Sequence, residues 1–287
     1  MKKYNYSYSK DPQQVNQLIF ERPLHNVGGV DCIIVGKPGC GKTTAMVQIA
    51  INNQKKFKDV VLVRGSDDCQ WSYFLNADIP MDLIVKRGVE IDLFNRRTGK
   101  RLDPDNIFHK VKEYVSAKNL VESRLSQTRM NVIQTTPYTS TNPNQHLQFC
   151  VDWLQIYEAL NQRKWNHPVT VCFDEFEDLV AEGVGKKLYD IELSLSGIFR
   201  KNRKNGISSF IACHSLADVH WRIKKKMRWK MYMRGAKQSK DSMIKKTLSD
   251  LPVGTCYLEG DKFERFEFKP MGNEFKIRAA INTISQI

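Results

Sequence analysis

The sequence predicts an α/β domain built on a mostly parallel central sheet, and three observations carry that expectation. An apolar run at residues 30–35 leads through a glycine-rich loop into a helical stretch at 43–53. A second apolar run, Val60–Arg64, follows, and strand, helix, strand in that order opens a parallel βαβ unit. Further on, Val169–Phe173 and Ile207–Cys213 are apolar runs separated by an amphipathic stretch carrying Leu188, Ile191, Leu195, Ile198 and Phe199 at helical spacing.

The loop between the first strand and helix reads Gly36-Lys37-Pro38-Gly39-Cys40-Gly41-Lys42-Thr43-Thr44 and fits G-x-x-x-x-G-K-[ST], the phosphate-binding P-loop. Gly36, Gly39 and Gly41 let the backbone turn its N–H groups inward onto phosphate oxygens. Lys42 places a point charge on the β- and γ-phosphates, and the Thr43 hydroxyl is a candidate Mg²⁺ ligand. The helix that follows points its positive end at the same phosphates.

The chain has 287 residues and a formal charge of +14, which fits an acidic partner such as nucleic acid. No apolar run approaches the ~20 residues needed to span a membrane, and residues 1–6 lack the apolar core of a signal peptide. The seven cysteines are scattered with no C-x-x-C pair, which suits reduced thiols in a cytoplasmic setting.

In chain order, residues 1–27 form an expected N-terminal arm and 28–287 the domain itself, with an insert at about 86–165. Leu83-Ile84-Val85 reads as a strand. Val89 to Phe94 and Arg101-Leu102 flank a Gly-containing turn and read as a β-hairpin whose tip carries Arg96, Arg97, Lys100 and Arg101. Residues 105–123 are expected to be helical, 134–145 a loop, and 146–163 a second helix.

Val169–Phe173 runs into Asp174-Glu175. Asp174 at the strand end suits the Mg²⁺ shell, and Glu175 suits the base that orients and deprotonates an attacking water. A base beside the metal carboxylate favours ATP hydrolysis over passive binding, and no N-K-x-D or T-K-x-D guanine-reading motif is present. Gly206 suits a helix C-cap ahead of Ile207–Cys213, and His214 at the tip of that strand is positioned to contact the γ-phosphate or the water.

These blocks resemble the FtsK/HerA superfamily of P-loop DNA motors. Asp174-Glu175-Phe176-Glu177-Asp178-Leu179 resembles its D-E-F-x-D-L, Arg203-Lys204-Asn205-Gly206-Ile207-Ser208 its R-x-x-G-I-[HS], and residues 212–218 sit where the family has A-T-Q-R-P-S-D, with His214 replacing the sensor Gln. The tail is similar too: a strand at Trp229–Met233, a helix at 239–248, an L-x-x-G turn at 251–254 leading into a strand, and a closing strand at 263–268. The resemblance implies a RecA-like P-loop NTPase of the ASCE division with a helical/hairpin insert, using ATP and Mg²⁺ to move DNA in a homo-oligomeric ring. It also implies an arginine finger acting on a neighbour's site, with Arg203, or else Arg200, as the candidate. With no winged-helix domain or membrane segment in view, viral genome packaging, against a capsid or portal-like component, is the leading expectation. DNA transfer by a plasmid or conjugative element, or a slow-hydrolysing nucleotide-switched scaffold, is the alternative.

From Arg200 to Lys246 there are fifteen Lys/Arg and two Asp/Glu, a net +13. Trp221 and Trp229 interleave with Arg222, Lys224, Lys225, Lys226, Arg228 and Lys230, as on a phosphate-tracking surface. This segment is the expected DNA surface, with the hairpin from Arg96 to Arg101 as a second one.

Overall fold

Each apolar run becomes a strand, and the strands join one sheet. The computed structural model describes residues 29–180, 186–237, 248–260, 263–268, 271 and 276–283. The expected arm at 1–27 and most of the expected helix at 239–248 lie outside the described residues. In chain order the elements are β1 (Asp31–Val35), α1 (Lys42–Phe57), β2 (Val60–Arg64), β3 (Met81–Lys86), β4 (Val89–Asn95), β5 (Arg101–Leu102), β6 (Lys110–Tyr114), β7 (Met130–Gln134) and α2 (Pro143–Gln162). They continue with β8 (Val169–Phe173), α3 (Lys186–Asn202), β9 (Ile207–Cys213), a short helix at Trp221–Lys224, β10 (Trp229–Met233), β11 (Thr255–Glu259), β12 (Phe263–Glu267) and β13 (Ile277–Thr283).

The main sheet has ten strands in the order β12-β11-β10-β1-β9-β8-β2-β7-β3-β6. Every neighbouring pair from β10 to β6 is parallel, and β11 and β12 add an antiparallel edge. β1 therefore lies inside the sheet, flanked by β9 and β10, with β8 one strand further on. Loops leaving the C-terminal ends of β1, β8 and β9 meet at one edge, where ligands of parallel α/β sheets bind.

Alternation along β1 divides the core in two. Ile33 and Val35 face the layer built by Trp153 and Tyr157 of α2 and Leu195 and Phe199 of α3. Cys32 and Ile34 face Ala45 and Ile49 of α1, with Trp71, Phe74 and Leu93. All seven cysteines are buried free thiols. Among the described residues, no helix is long and apolar enough to cross a membrane.

Three differences from the sequence-based reading concern residues 86–165 and the C-terminus. Residues 105–123 are not one helix: β6 lies within them, parallel to β3 at the sheet edge. It is exposed along most of its length, with Val111 44% exposed and only Tyr114 buried, as suits an edge strand rich in charge. β7 sits between β2 and β3 and carries Asn131, fully buried because its amide donates to Val61 O and Ser126 O, each at 2.9 Å. The β4–β5 hairpin forms as expected, but β13 pairs with β4 to make a second sheet, β13-β4-β5. That sheet is tied to the loop after β2 by Ala279 N donating to Asp67 O at 2.8 Å.

Candidate active site

The P-loop leaves β1 at Gly36, where a Cβ would meet Cys40 Sγ at 2.6 Å and Met233 Cβ at 3.0 Å, so close packing selects glycine. At Gly39 a Cβ would meet nothing, and the φ of 74° is the reason instead; Gly41 has φ 99°. The loop is braced from the β10–β11 side. Lys37 N donates to Arg234 O and Gly254 N to Cys40 O, both at 3.1 Å. Lys42 Nζ donates to Gly36 O at 2.9 Å, which curls its ammonium over the loop. Thr43 and Thr44 stand in the first turn of α1.

Thr43 Oγ1 donates to Asp174 Oδ2 at 2.6 Å, joining the P-loop helix to the end of β8. Asp174 is 4% exposed, and burial pushes its carboxyl up against the opposing pull of Thr43 and Lys42. A hydroxyl and a carboxylate side by side are hard oxygen donors of the kind that hold Mg²⁺. The loop amides and Lys42 fit a polyphosphate next to them.

Glu175 follows in the left-handed region, φ 53°, a conformation that costs a side-chain-bearing residue energy and concentrates at functional sites. Arg64, the last residue of β2, holds it there. Its Nη1 donates to Asp174 O at 2.7 Å and Glu175 O at 3.1 Å, and its Nη2 donates to Asp178 Oδ2 at 2.7 Å. The guanidinium lies near the rings of Phe149 and Phe173, 5.0 and 4.9 Å from their centroids. Burial pushes the Glu175 carboxyl up to about 7, opposed by Arg64 and reinforced by Asp178, Asp174 and Asp68. A proton affinity near neutrality suits a base that must accept a proton from water.

His214 follows β9, and the P-loop begins beside it, with Gly36 N donating to Cys213 O at 3.4 Å. Glu177 Oε1 takes both the His214 backbone N–H (3.1 Å) and its Nδ1 (2.5 Å), which fixes the ring next to the site. Arg203 and Arg200 lie elsewhere. Arg203 O accepts from Gly29 N, ahead of β1, so both arginines stand at the opposite end of the sheet. A five-residue strand spans roughly 16 Å, which keeps them from their own P-loop.

Two of the residues that shape the site were given no role from sequence. Arg64 had a readable signal, a cation ending an otherwise apolar strand. Glu177 lies inside the quoted acidic motif, but its partner His214 is 37 positions away. The basic segment is also divided by the fold. Arg200, Lys201, Arg203 and Lys204 lie at the N-terminal end of β9, and Arg222 to Lys226 lie on the connection that returns from the C-terminal end of β9 to the start of β10, where Trp229 pairs with Cys32 of β1. At the hairpin tip, Arg96 pairs with Asp68 and Arg101 with Asp92.

No family model matches the chain, and no curated protein matches it. Among solved structures it is similar to VirB4 of Thermoanaerobacter pseudethanolicus, with TM-score 0.54 and 9% identity over 84% of this chain and 89% of that one. It is also similar to the genome packaging NTPase B204 from Sulfolobus turreted icosahedral virus 2. In complex with sulfate that protein gives TM-score 0.52 and 8% identity over 85% of this chain and 99% of that one. In complex with AMPPCP it gives TM-score 0.50 and 10% identity over 86% and 100%. The shared feature is the fold, a mostly parallel α/β P-loop NTPase fold.

Proposed function

We propose that this chain hydrolyses ATP to translocate DNA, as the motor ATPase of a viral genome-packaging ring. The observation that carries the hydrolytic part is the Thr43–Asp174 contact at 2.6 Å with Glu175 beside it. Lys42 and the loop amides bind the phosphates. Thr43 and Asp174 would hold Mg²⁺, which would neutralise charge on the transferring phosphate. Glu175, set by Arg64, accepts the proton of the attacking water, and His214, set by Glu177, lies where it can read the terminal phosphate. The viral role draws support from the fold shared with a genome packaging NTPase. The second reading is a DNA-transfer ATPase of a plasmid or conjugative element, which the same site chemistry would serve.

A ring accounts for Arg203. It lies at the far end of the sheet from its own P-loop, so a finger role requires a neighbour's site. The DNA surface is best sought around Trp221, which is 45% exposed, with Lys225 Nζ 4.7 Å and the Arg222 guanidinium 5.2 Å from its ring. Cations beside an exposed aromatic suit phosphate tracking and base stacking.

The test is Glu175→Gln. ATP affinity should stay within about twofold while turnover falls by at least about 100-fold, because the ligands remain and the base is gone. Turnover should rise when DNA is added to wild type. Wild-type turnover in Glu175→Gln would remove the base assignment, and DNA-independent turnover would favour the scaffold reading.

A further inference from the structure

The tip of the β4–β5 hairpin comes against the first turn of α1. A cavity of about 240 Å³ lies there, with Thr43, Asp68, Gln70, Tyr73, Arg96 and Lys276 in its wall. Arg96 Nη2 pairs with the Asp68 carboxylate, and the Arg96 backbone N–H donates to Lys276 O at 2.6 Å. The second sheet thus brings a guanidinium and an ammonium to the side of the P-loop that Thr43 faces.

That side can be identified. One flank of the P-loop is closed by Arg234 and Gly254 of the β10–β11 region. The cavity is on the other flank. Its Asp68 lies in the loop after β2, and β2 is hydrogen-bonded to β8, which is followed directly by Asp174. This is the flank where Thr43 meets Asp174, and therefore where the terminal phosphate of ATP belongs in the function proposed above.

We infer that Arg96 reads the terminal phosphate of ATP within its own subunit, with Asp68 as the carboxylate that holds it in waiting. The inference rests on the ATP-binding reading of the P-loop. The Arg96 and Asp68 side chains are 46% and 54% exposed, so the pair is weakly held and readily exchanged. A terminal phosphate carries more charge than one carboxylate, and it matches the guanidinium fork through two parallel N–H···O bonds. ADP presents no such group on this flank. The Arg96 backbone is tied to Lys276, the residue before β13, and β13 is tied to Asp67, so Arg96 and the Asp68 loop are linked through the second sheet.

The test is equilibrium binding of ATPγS and of ADP, each with Mg²⁺, to the full chain. Wild type is compared with Arg96→Ala, Arg96→Lys, Asp68→Asn and Lys42→Ala, with thermal melts to confirm folding. Arg96→Ala should weaken ATPγS binding about tenfold, equivalent to about 1.4 kcal/mol, while ADP affinity stays within about twofold. Arg96→Lys should recover part of the loss. Asp68→Asn should hold ATPγS at or above wild-type affinity. Two results would overturn the inference: an unchanged ATPγS-to-ADP affinity ratio in Arg96→Ala, whether or not both affinities fall, or an Asp68→Asn loss as large as that of Arg96→Ala. The last would mark the pair as only a tie between hairpin and loop. Failure of the parent reading looks different: wild type would bind neither nucleotide, or Lys42→Ala would bind both as wild type does.

Discussion

Asp31 is the first residue of β1, 1% exposed, and among the described residues neither of its carboxyl oxygens has a hydrogen-bond partner. Burial pushes its pKa up to about 8, opposed by the charge of Arg203. In the unfolded chain a carboxyl of this type titrates near ~3.9. Between those values the folded protein keeps the proton and the unfolded chain releases it, so stability falls as pH rises through this window. Each pH unit within this window costs on the order of 1 kcal/mol, so moving from pH 5 to pH 7 costs roughly 2–3 kcal/mol from this one group. That is a large share of the ~5–15 kcal/mol by which domains are stable. An asparagine side chain has nearly the same shape as that of Asp31 and does not titrate. The advantage of Asp31→Asn over wild type in urea unfolding should therefore grow by about 2–3 kcal/mol between pH 5 and pH 7, and level off below about 4 and above about 8. Arg203→Ala removes the opposing charge and should extend the falling range to higher pH. A difference between Asp31→Asn and wild type that is constant across pH would show that Asp31 is ionised in the folded protein, and the reasoning would fail.

The other predictions follow from the site and the surface. Arg64→Lys keeps the charge but loses the fork that holds both Asp174 O and Glu175 O, so turnover should drop about tenfold or more with ATP affinity little changed; unaltered turnover would mean that the Glu175 backbone is set without Arg64. DNA affinity should fall with salt at a log–log slope near −4 to −5 if about five phosphates are contacted, and joint neutralisation of Lys224, Lys225 and Lys226 should flatten it. An unchanged slope in that variant would move the DNA surface elsewhere. Arg203→Ala and Glu175→Gln subunits, each inactive alone, should partly restore ATPase activity when mixed, since trans fingers contribute about 10³–10⁵ in rate. With subunit exchange demonstrated, absence of rescue would retire Arg203 as a finger and turn attention to Arg200.

Local chemistry determined much of this protein from sequence alone. The P-loop needs a strand, three glycines, Lys42 and Thr43 within a dozen positions, and the acidic turn needs Asp174 and Glu175 in succession, so both are legible without tertiary information. The buried strands β1, β2, β8 and β9 are legible for the same reason, because continuous apolar runs suit a sheet covered on both faces. Tertiary structure decided what depends on distant partners. β7 carries Asn131 and Gln134, polar residues that weaken its apolar signal, and Asn131 is buried with its amide donating to Val61 O, 70 positions earlier. β13 is a strand through pairing with β4, more than 180 positions earlier, which no local pattern reports. Arg64 reaches Asp174 across 110 positions, and His214 reaches Glu177 across 37. Charge shows the limit most clearly. One basic segment in sequence is divided in space, because a buried seven-residue strand runs through it and leaves Arg200 to Lys204 before β9 and Arg222 to Lys226 on the crossover from β9 to β10.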